Sequence, residues 1–113
     1  MTEDVKPVTA IKSDANGRQI EVRKLKPIEQ LWMLEMVGGV NANNAPYLGY
    51  ATLAYSVSKI DGQDVPRIRT KAALEAMVQR LDEAGLAAVG EAFKELYPDA
   101  ATQAEAQEIL KNG

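Results

Sequence analysis

Near the start of the chain, two short segments alternate between apolar and polar positions. In residues 18–24, Ile20 and Val22 share one face while the charged residues beside them point the other way, which is the period-2 pattern of a half-buried β-strand. We assign the partner strand to residues 9–13, because the Asn-Gly pair at 16–17 accepts the positive φ angles of a tight turn. The pattern therefore predicts a β-hairpin.

A first helix is predicted at residues 27–37. Pro27 is favourable in the first turn, where a missing N–H costs no intrahelical hydrogen bond, and two glycines follow the last apolar position. The apolar residues of this segment are Ile28, Leu31, Trp32, Met33, Leu34, Met36 and Val37. They cover more than the single stripe of a helix packed on one side, so we expect either a three-layered core or a subunit interface here.

The second helix is predicted at residues 46–59. All of it except Lys59 lies in a stretch without charged residues, 36–58, which glycines, asparagines and a proline interrupt too often for a membrane-spanning helix. Apolar and small residues occupy almost every side of it, so we expect a helix buried nearly all round. Its tyrosines need hydrogen-bond partners when buried, which favours positions at the rim of the core or at a protein interface.

Two further helices are predicted at residues 71–84 and 86–96, with Thr70 as the N-cap of the first and Gly85 as the left-handed residue between them. Both segments carry a regular apolar stripe: Leu74, Met77, Val78 and Leu81 in the first, Leu86, Val89, Phe93, Leu96 and Tyr97 in the second. A capping-box pattern predicts a last, short helix reaching Leu110.

Together these elements predict an α+β fold that is predominantly helical, with an N-terminal β-hairpin packed on a compact bundle of about four helices. We expect residues 9–98 to form a single globular domain, residues 1–8 a flexible arm and residues 99–113 a polar tail with a short helix. A length of 113 residues is typical of one domain with one core.

The composition argues against common catalytic machinery. The chain contains no cysteine and no histidine, which excludes thiolate nucleophiles, disulfides, imidazole bases and the usual zinc ligands. Asp61 and Asp64 flank a glycine, but the twelve-position ligand series of a calcium loop is missing, so we interpret the segment as a plain turn. We assign no catalytic residue, metal or cofactor, and we predict that the protein is not an enzyme.

Charge narrows the class of partner. The net charge is −3, whereas a nucleic-acid binder normally has a basic excess on one face, so we expect neither DNA nor RNA as a partner. Two groups of basic residues stand out: Arg23, Lys24 and Lys26, and Arg67, Arg69 and Lys71. We favour a solvated rim for both groups, and the alternative is that they meet on one surface and contact an acidic protein.

The protein-binding residues are predicted to be Trp32, Met33, Met36, Tyr47 and Tyr50. Tryptophan and methionine are enriched where interfaces have dry centres. Tryptophan is also a frequent core residue in small domains, so a core position for Trp32 stays equally open.

Several short motifs carry a family resemblance. They are Ile20-Glu21-Val22-Arg23-Lys24-Leu25, then Pro46-Tyr47-Leu48-Gly49-Tyr50-Ala51 in an alanine-rich helical segment, then Ile60-Asp61-Gly62 and Val65-Pro66. In this order they resemble the small tail assembly chaperones of long-tailed, siphovirus-type bacteriophages, over residues 17–96. That family has no catalytic signature, so no functional residue carries over singly.

The resemblance implies a non-catalytic protein that coats the long, helical tape-measure protein, keeps it soluble and yields its place to the tail-tube protein. Such chaperones are often made in two lengths by a −1 ribosomal frameshift, and Lys111-Asn112 is a pair that an A-rich slippery sequence can encode. The longer form would recruit the tail-tube protein. We expect the host cell cytoplasm as the location, because the first ten residues lack the apolar segment of a signal peptide, and homo-oligomers are compatible with this role.

Two alternatives stay open. A structural virion protein, such as a tail terminator or a head–tail connector, would assemble as a ring and persist in the particle. A small DNA-binding regulator would bind a duplex with strong salt dependence, because neutralising phosphates releases counterions.

Overall fold

The computed structural model describes residues 8–41 and 43–98. Within these ranges the chain forms four strands and three helices. In chain order they are β1 (Thr9–Ser13), β2 (Gln19–Arg23), α1 (Pro27–Val37), α2 (Ala45–Tyr55), β3 (Val57–Ile60), β4 (Gln63–Asp64) and α3 (Lys71–Leu96). The α+β class is confirmed, but the sheet is larger than predicted and the number of helices smaller.

The four strands form one antiparallel sheet in the order β1-β2-β3-β4. The predicted N-terminal hairpin is confirmed, since Lys12 lies opposite Ile20 and Gly17 takes a φ of +84° in the turn. Ile20 and Val22 are both completely buried, so the face assigned to them from the alternating pattern is also confirmed. The Asp61-Gly62 segment forms the predicted turn, and it joins β3 to β4.

The second helix is shorter than predicted. It ends at Tyr55, and residues 57–59, expected as its last turn, belong to β3 instead. Val57 lies opposite Val22 of the neighbouring strand, and both are buried. β-Branched residues fit a pleated, half-buried surface, and strand pairing satisfies the backbone groups at the second edge of β2. Tertiary pairing therefore overrides the helical periodicity of this segment.

The predicted third and fourth helices run together as α3. One residue inside it, Asp82, leaves the helical region with φ 56° and ψ −167°, so the chain breaks there and not at Gly85. Among the described glycines only Gly17, Gly38 and Gly62 have positive φ, and the prediction of a left-handed Gly85 is wrong. A Cβ at Gly85 would lie 2.8 Å from the Cβ of Leu81, so the position needs glycine for close packing.

The core lies between the sheet and the helices α2 and α3. α3 packs across β1 and β2 and against α2, and its stripe residues Leu74, Leu81 and Val89 are almost completely buried. The fully buried residues of α2 are Ala51, Ala54 and Tyr55, whereas Gly49 and Tyr50 are exposed. The expectation that this helix is buried nearly all round is therefore wrong.

The chain ends fall largely outside the described residues. This applies to the predicted tail at residues 99–113, with its short helix, and to residues 1–7 of the predicted arm. Val8, the last residue of that arm, lies beside the sheet, because its carbonyl accepts a hydrogen bond from the Lys24 N–H at 2.8 Å.

Within the described ranges, none of the helices combines the length and the apolar character needed to cross a membrane.

Candidate protein-binding surface

α1 has the largest apolar exposure of the helices. It is anchored in the core by Met33 and Val37. Four large apolar side chains on its outer side remain accessible, and we call them the α1 face: Ile28 (46% exposed), Leu31 (62%), Trp32 (42%) and Leu34 (43%). Scattered single apolar residues are ordinary on protein surfaces, but a contiguous group on one helix is typical of an interaction site.

Local interactions hold α1 in this position. Glu29 lies in the first turn, where a negative charge is favourable, and its carboxylate accepts hydrogen bonds from the Lys26 N–H at 3.1 Å and from Arg23 Nε at 3.0 Å. Burial alone would raise the pKa of Glu29, but these hydrogen bonds and the charges of both basic neighbours outweigh it and lower the pKa below 4.5. At the other end Gly38, with φ 85°, ends the helix, as predicted.

Trp32 lines an open cavity of about 330 Å³ between α1 and the extended segment before α3. The lining residues are Trp32, Met36, Tyr55, Arg67, Ile68 and Arg69, and we call this space the Trp32 cavity. Arg67 contacts the indole directly, with its Cζ 4.0 Å from the ring centroid, a cation–π distance. The cavity therefore combines an aromatic and aliphatic surface with two guanidinium groups.

A second, smaller cleft of about 170 Å³ lies between α2 and α3, lined by Tyr47, Tyr50, Ala51, Leu74, Glu75 and Val78. The Tyr47 hydroxyl donates to the Glu75 carboxylate at 3.0 Å. Burial, together with that hydrogen bond and the negative charge of Glu75, raises the pKa of Tyr47 above 10.0. Tyr50 is 54% exposed at the edge of this cleft.

The five predicted binding residues therefore do not form one patch. Trp32 and Met36 line the Trp32 cavity, whereas Tyr47 and Tyr50 line the cleft between α2 and α3. Met33 is only 4% exposed and belongs to the core, so it presents almost no surface to a partner. Whether any of these residues binds a protein stays a prediction.

The sequence analysis singled out Arg67 and Arg69 as basic residues but did not place them beside Trp32. Arg67 and Ile68 alternate in an extended segment, which places the arginine outside and the isoleucine partly inside. That alternation was a usable signal for an ordered segment. Its position beside Trp32 depends on long-range packing, which no local pattern reports.

The two basic groups approach one another at a single point. Arg23 and Arg67 line a common cavity of about 290 Å³ with Glu29 and Tyr55. Lys24 points elsewhere, with its Nζ 5.3 Å from the centre of the Tyr97 ring. The two basic groups therefore do not form one continuous surface, and the residues that the structure brings together are the arginines around α1.

Among the residues that the structure describes, no three or more Asp, Glu, His or Cys side chains are grouped so that they could hold a metal ion. In comparisons with protein-family models, curated proteins and solved structures, nothing matches this chain.

Proposed function

We propose that this protein is a non-catalytic tail assembly chaperone of a long-tailed bacteriophage. In this role it acts in the host cell cytoplasm, binds the helical tape-measure protein, keeps that client soluble and gives way to the tail-tube protein. A longer, frameshifted product would recruit the tail-tube protein. The observation that carries the proposal is the α1 face, an apolar helix surface on a domain whose core is already complete without it.

The energetics of this surface suit a reversible holder. Fully burying a large apolar side chain contributes about 1.5–3 kcal/mol, and the four side chains of the α1 face are each already about half buried. Covering them would therefore gain roughly 3–6 kcal/mol. Association costs about 4–15 kcal/mol in lost freedom, so one copy bound through this face alone would be held weakly.

Weak single contacts fit a client that is long and repetitive. Many copies on one extended helix, or several domains linked in one assembly, would gain affinity through a high effective concentration without a tighter individual contact. Each copy would still dissociate readily when the tail-tube protein arrives. An apolar helix face packing against an apolar stripe of another helix is a common recognition mode, and a helical client supplies such stripes.

The proposal is tested by co-expressing the chain with the long helical protein encoded by the same genome. We expect the client to be insoluble alone, and to become soluble and co-purify in the presence of this protein. The substitutions Trp32→Ala and Leu31→Glu should reduce the amount of co-purified client while leaving the circular dichroism spectrum unchanged. Ile11→Glu is the matched control, because Ile11 is 56% exposed but lies on β1.

Three results would count against the proposal. They are a client that is soluble alone and does not co-purify, a client bound equally well by the α1 variants and the wild type, and a protein that is retained in purified virions. The last result, read by mass spectrometry of the particles, is expected of a structural tail or connector protein, because a chaperone leaves before the particle is complete.

A further inference from the structure

The lining of the Trp32 cavity includes positively charged side chains, whereas the four side chains of the α1 face are all apolar. Its apolar lining comes from Trp32, Met36 and Ile68, and its charged lining consists of Arg67 and Arg69. No carboxylate lines it. An apolar ligand alone would leave both guanidinium groups without an anionic partner.

Arg67 and Arg69 differ from two other arginines of the domain, which form ion pairs with carboxylates. Arg18 is ion-paired with Asp14, and Arg23 with Glu29, at 2.7 and 3.0 Å. Over the described part of the chain, neither Arg67 nor Arg69 has a carboxylate within ion-pair distance. Both are exposed. A guanidinium stacked on an aromatic ring keeps its N–H groups at the edge, where they can form paired hydrogen bonds to a carboxylate.

Glu29, the acidic residue in the first turn of α1, is not available to neutralise them. The Glu29 carboxylate lines the neighbouring cavity with Arg67, but it already accepts hydrogen bonds from Lys26 and Arg23. The local excess of positive charge therefore persists on a protein whose net charge is −3. Such a local reversal of sign favours an acidic partner and disfavours a basic one.

We propose that the Trp32 cavity binds an amphipathic helix of the client whose apolar stripe is bordered on one side by glutamates or aspartates. The apolar side chains would cover Trp32 and Met36, and the carboxylates would pair with Arg67 and Arg69. This inference rests on the proposed chaperone function, and it adds the chemistry of the client segment that is recognised.

Trp32 is the only tryptophan of the chain, so its fluorescence reports directly on the cavity. The probes are two synthetic helical peptides with one identical leucine stripe, bordered by glutamates in one and by lysines in the other. We expect the glutamate peptide to shift the Trp32 emission and to bind about tenfold more tightly than the lysine peptide at low salt, with the difference shrinking as salt is raised.

The variant Arg69→Glu should abolish or reverse this preference. Arg80→Glu is the matched control, because it makes the same change in net charge at an exposed position on α3 and should leave the preference unchanged. The double variant Arg67→Glu/Arg69→Glu should favour the lysine peptide. If that double variant does not fold, the single variant and the salt dependence of the wild type still decide the question.

The inference is overturned if the two peptides bind equally, if the lysine peptide binds better, or if neither changes the Trp32 emission. Its failure is distinguishable from failure of the proposed function. A tape-measure client that co-purifies in a Trp32-dependent manner, with no peptide preference, would leave the chaperone proposal standing and remove only the acidic specificity. A client that is not bound at all would remove the chaperone proposal.

Discussion

The guanidinium of Arg18 caps the break in α3, with its Nη2 donating to the carbonyl of Leu81 at 2.8 Å. Its Nη1 donates to the Arg80 carbonyl at 2.9 Å, and its Nε to the Asp14 carboxylate at 2.7 Å. Carbonyls next to a helix break lose their usual partners in the following turn. A side chain from the hairpin therefore supplies the hydrogen bonds that the helix itself cannot, and it ties the hairpin to α3.

Replacing Arg18 by methionine should destabilise the fold by about 2 kcal/mol, because the two carbonyls lose charged donors, which typically contribute about 1.5–3 kcal/mol each when well desolvated. Because one of the two hydrogen bonds is exposed and the other only partly buried, together they should contribute less than the sum of two desolvated ones. Urea unfolding measures it. Arg80→Ala is the control: its backbone carbonyl is retained, its side chain is exposed, and its effect should stay within about 0.5 kcal/mol. Equal effects of the two substitutions would contradict a capping role for Arg18.

Gly85 and Gly90 form a matched pair within α3. A Cβ at Gly85 would meet Leu81 Cβ at 2.8 Å and Arg18 Nη2 at 3.1 Å, whereas nothing lies within 4 Å of a Cβ at Gly90. Gly90→Ala should stabilise the protein by about 0.5–1 kcal/mol through helix propensity. Gly85→Ala should instead destabilise it by about 1–3 kcal/mol through overpacking. Thermal unfolding of both variants is the measurement, and two shifts in the same direction would refute the packing argument.

Asp82 adopts a backbone conformation that favours glycine, with φ 56° and ψ −167°. Such a conformation costs a non-glycine residue about 1–3 kcal/mol, and glycine adopts it without a Cβ clash, at an entropic cost of about 0.5–1 kcal/mol. Asp82→Gly should therefore raise the free energy of unfolding, by up to about 2 kcal/mol. Asp82→Ala keeps the Cβ and should bring no such gain. Chemical denaturation of the two variants tests whether the break is strained.

Acid should weaken the fold through Asp14 and Glu29. Burial alone would raise the pKa of the Asp14 carboxyl. Hydrogen bonds from Arg18 and Asn16, together with the Arg18 charge, outweigh burial and lower that pKa below 3.8. The pKa of Glu29 is likewise lowered below 4.5. A carboxyl whose pKa is lower in the folded state stabilises the fold fully above its unfolded pKa. That contribution is lost as the pH falls through the folded value.

The free energy of unfolding should therefore change little from these two groups between pH 7 and about pH 5, and fall below about pH 4.5. Urea titrations at several pH values measure this slope. Asp14→Asn should make the acid slope shallower. Asp64→Asn, at a carboxylate that is 88% exposed, should leave it unchanged, and an identical flattening in both variants would contradict the assignment.

Local chemistry in the sequence determined a substantial part of this architecture. The hairpin at β1 and β2 follows from strict alternation around Ile20 and from an Asn-Gly turn, both of which act within a few residues. The limits of α1 follow from Pro27 and Gly38, whose backbone preferences do not depend on distant contacts. These predictions are confirmed because the physical causes are themselves local.

The tertiary structure decided the features whose causes lie far apart along the chain. Residues 57–60 became a strand because β2 offered an edge to pair with. α3 breaks at Asp82 where Arg18, more than sixty positions earlier, can cap it. Met33 turned into the core while Trp32, its neighbour, turned outward beside Arg67. Periodicity showed that α1 was too apolar for one-sided packing. Only tertiary packing could select which of its residues fill the core and which remain exposed, because that selection depends on the surfaces that other elements bring to the helix.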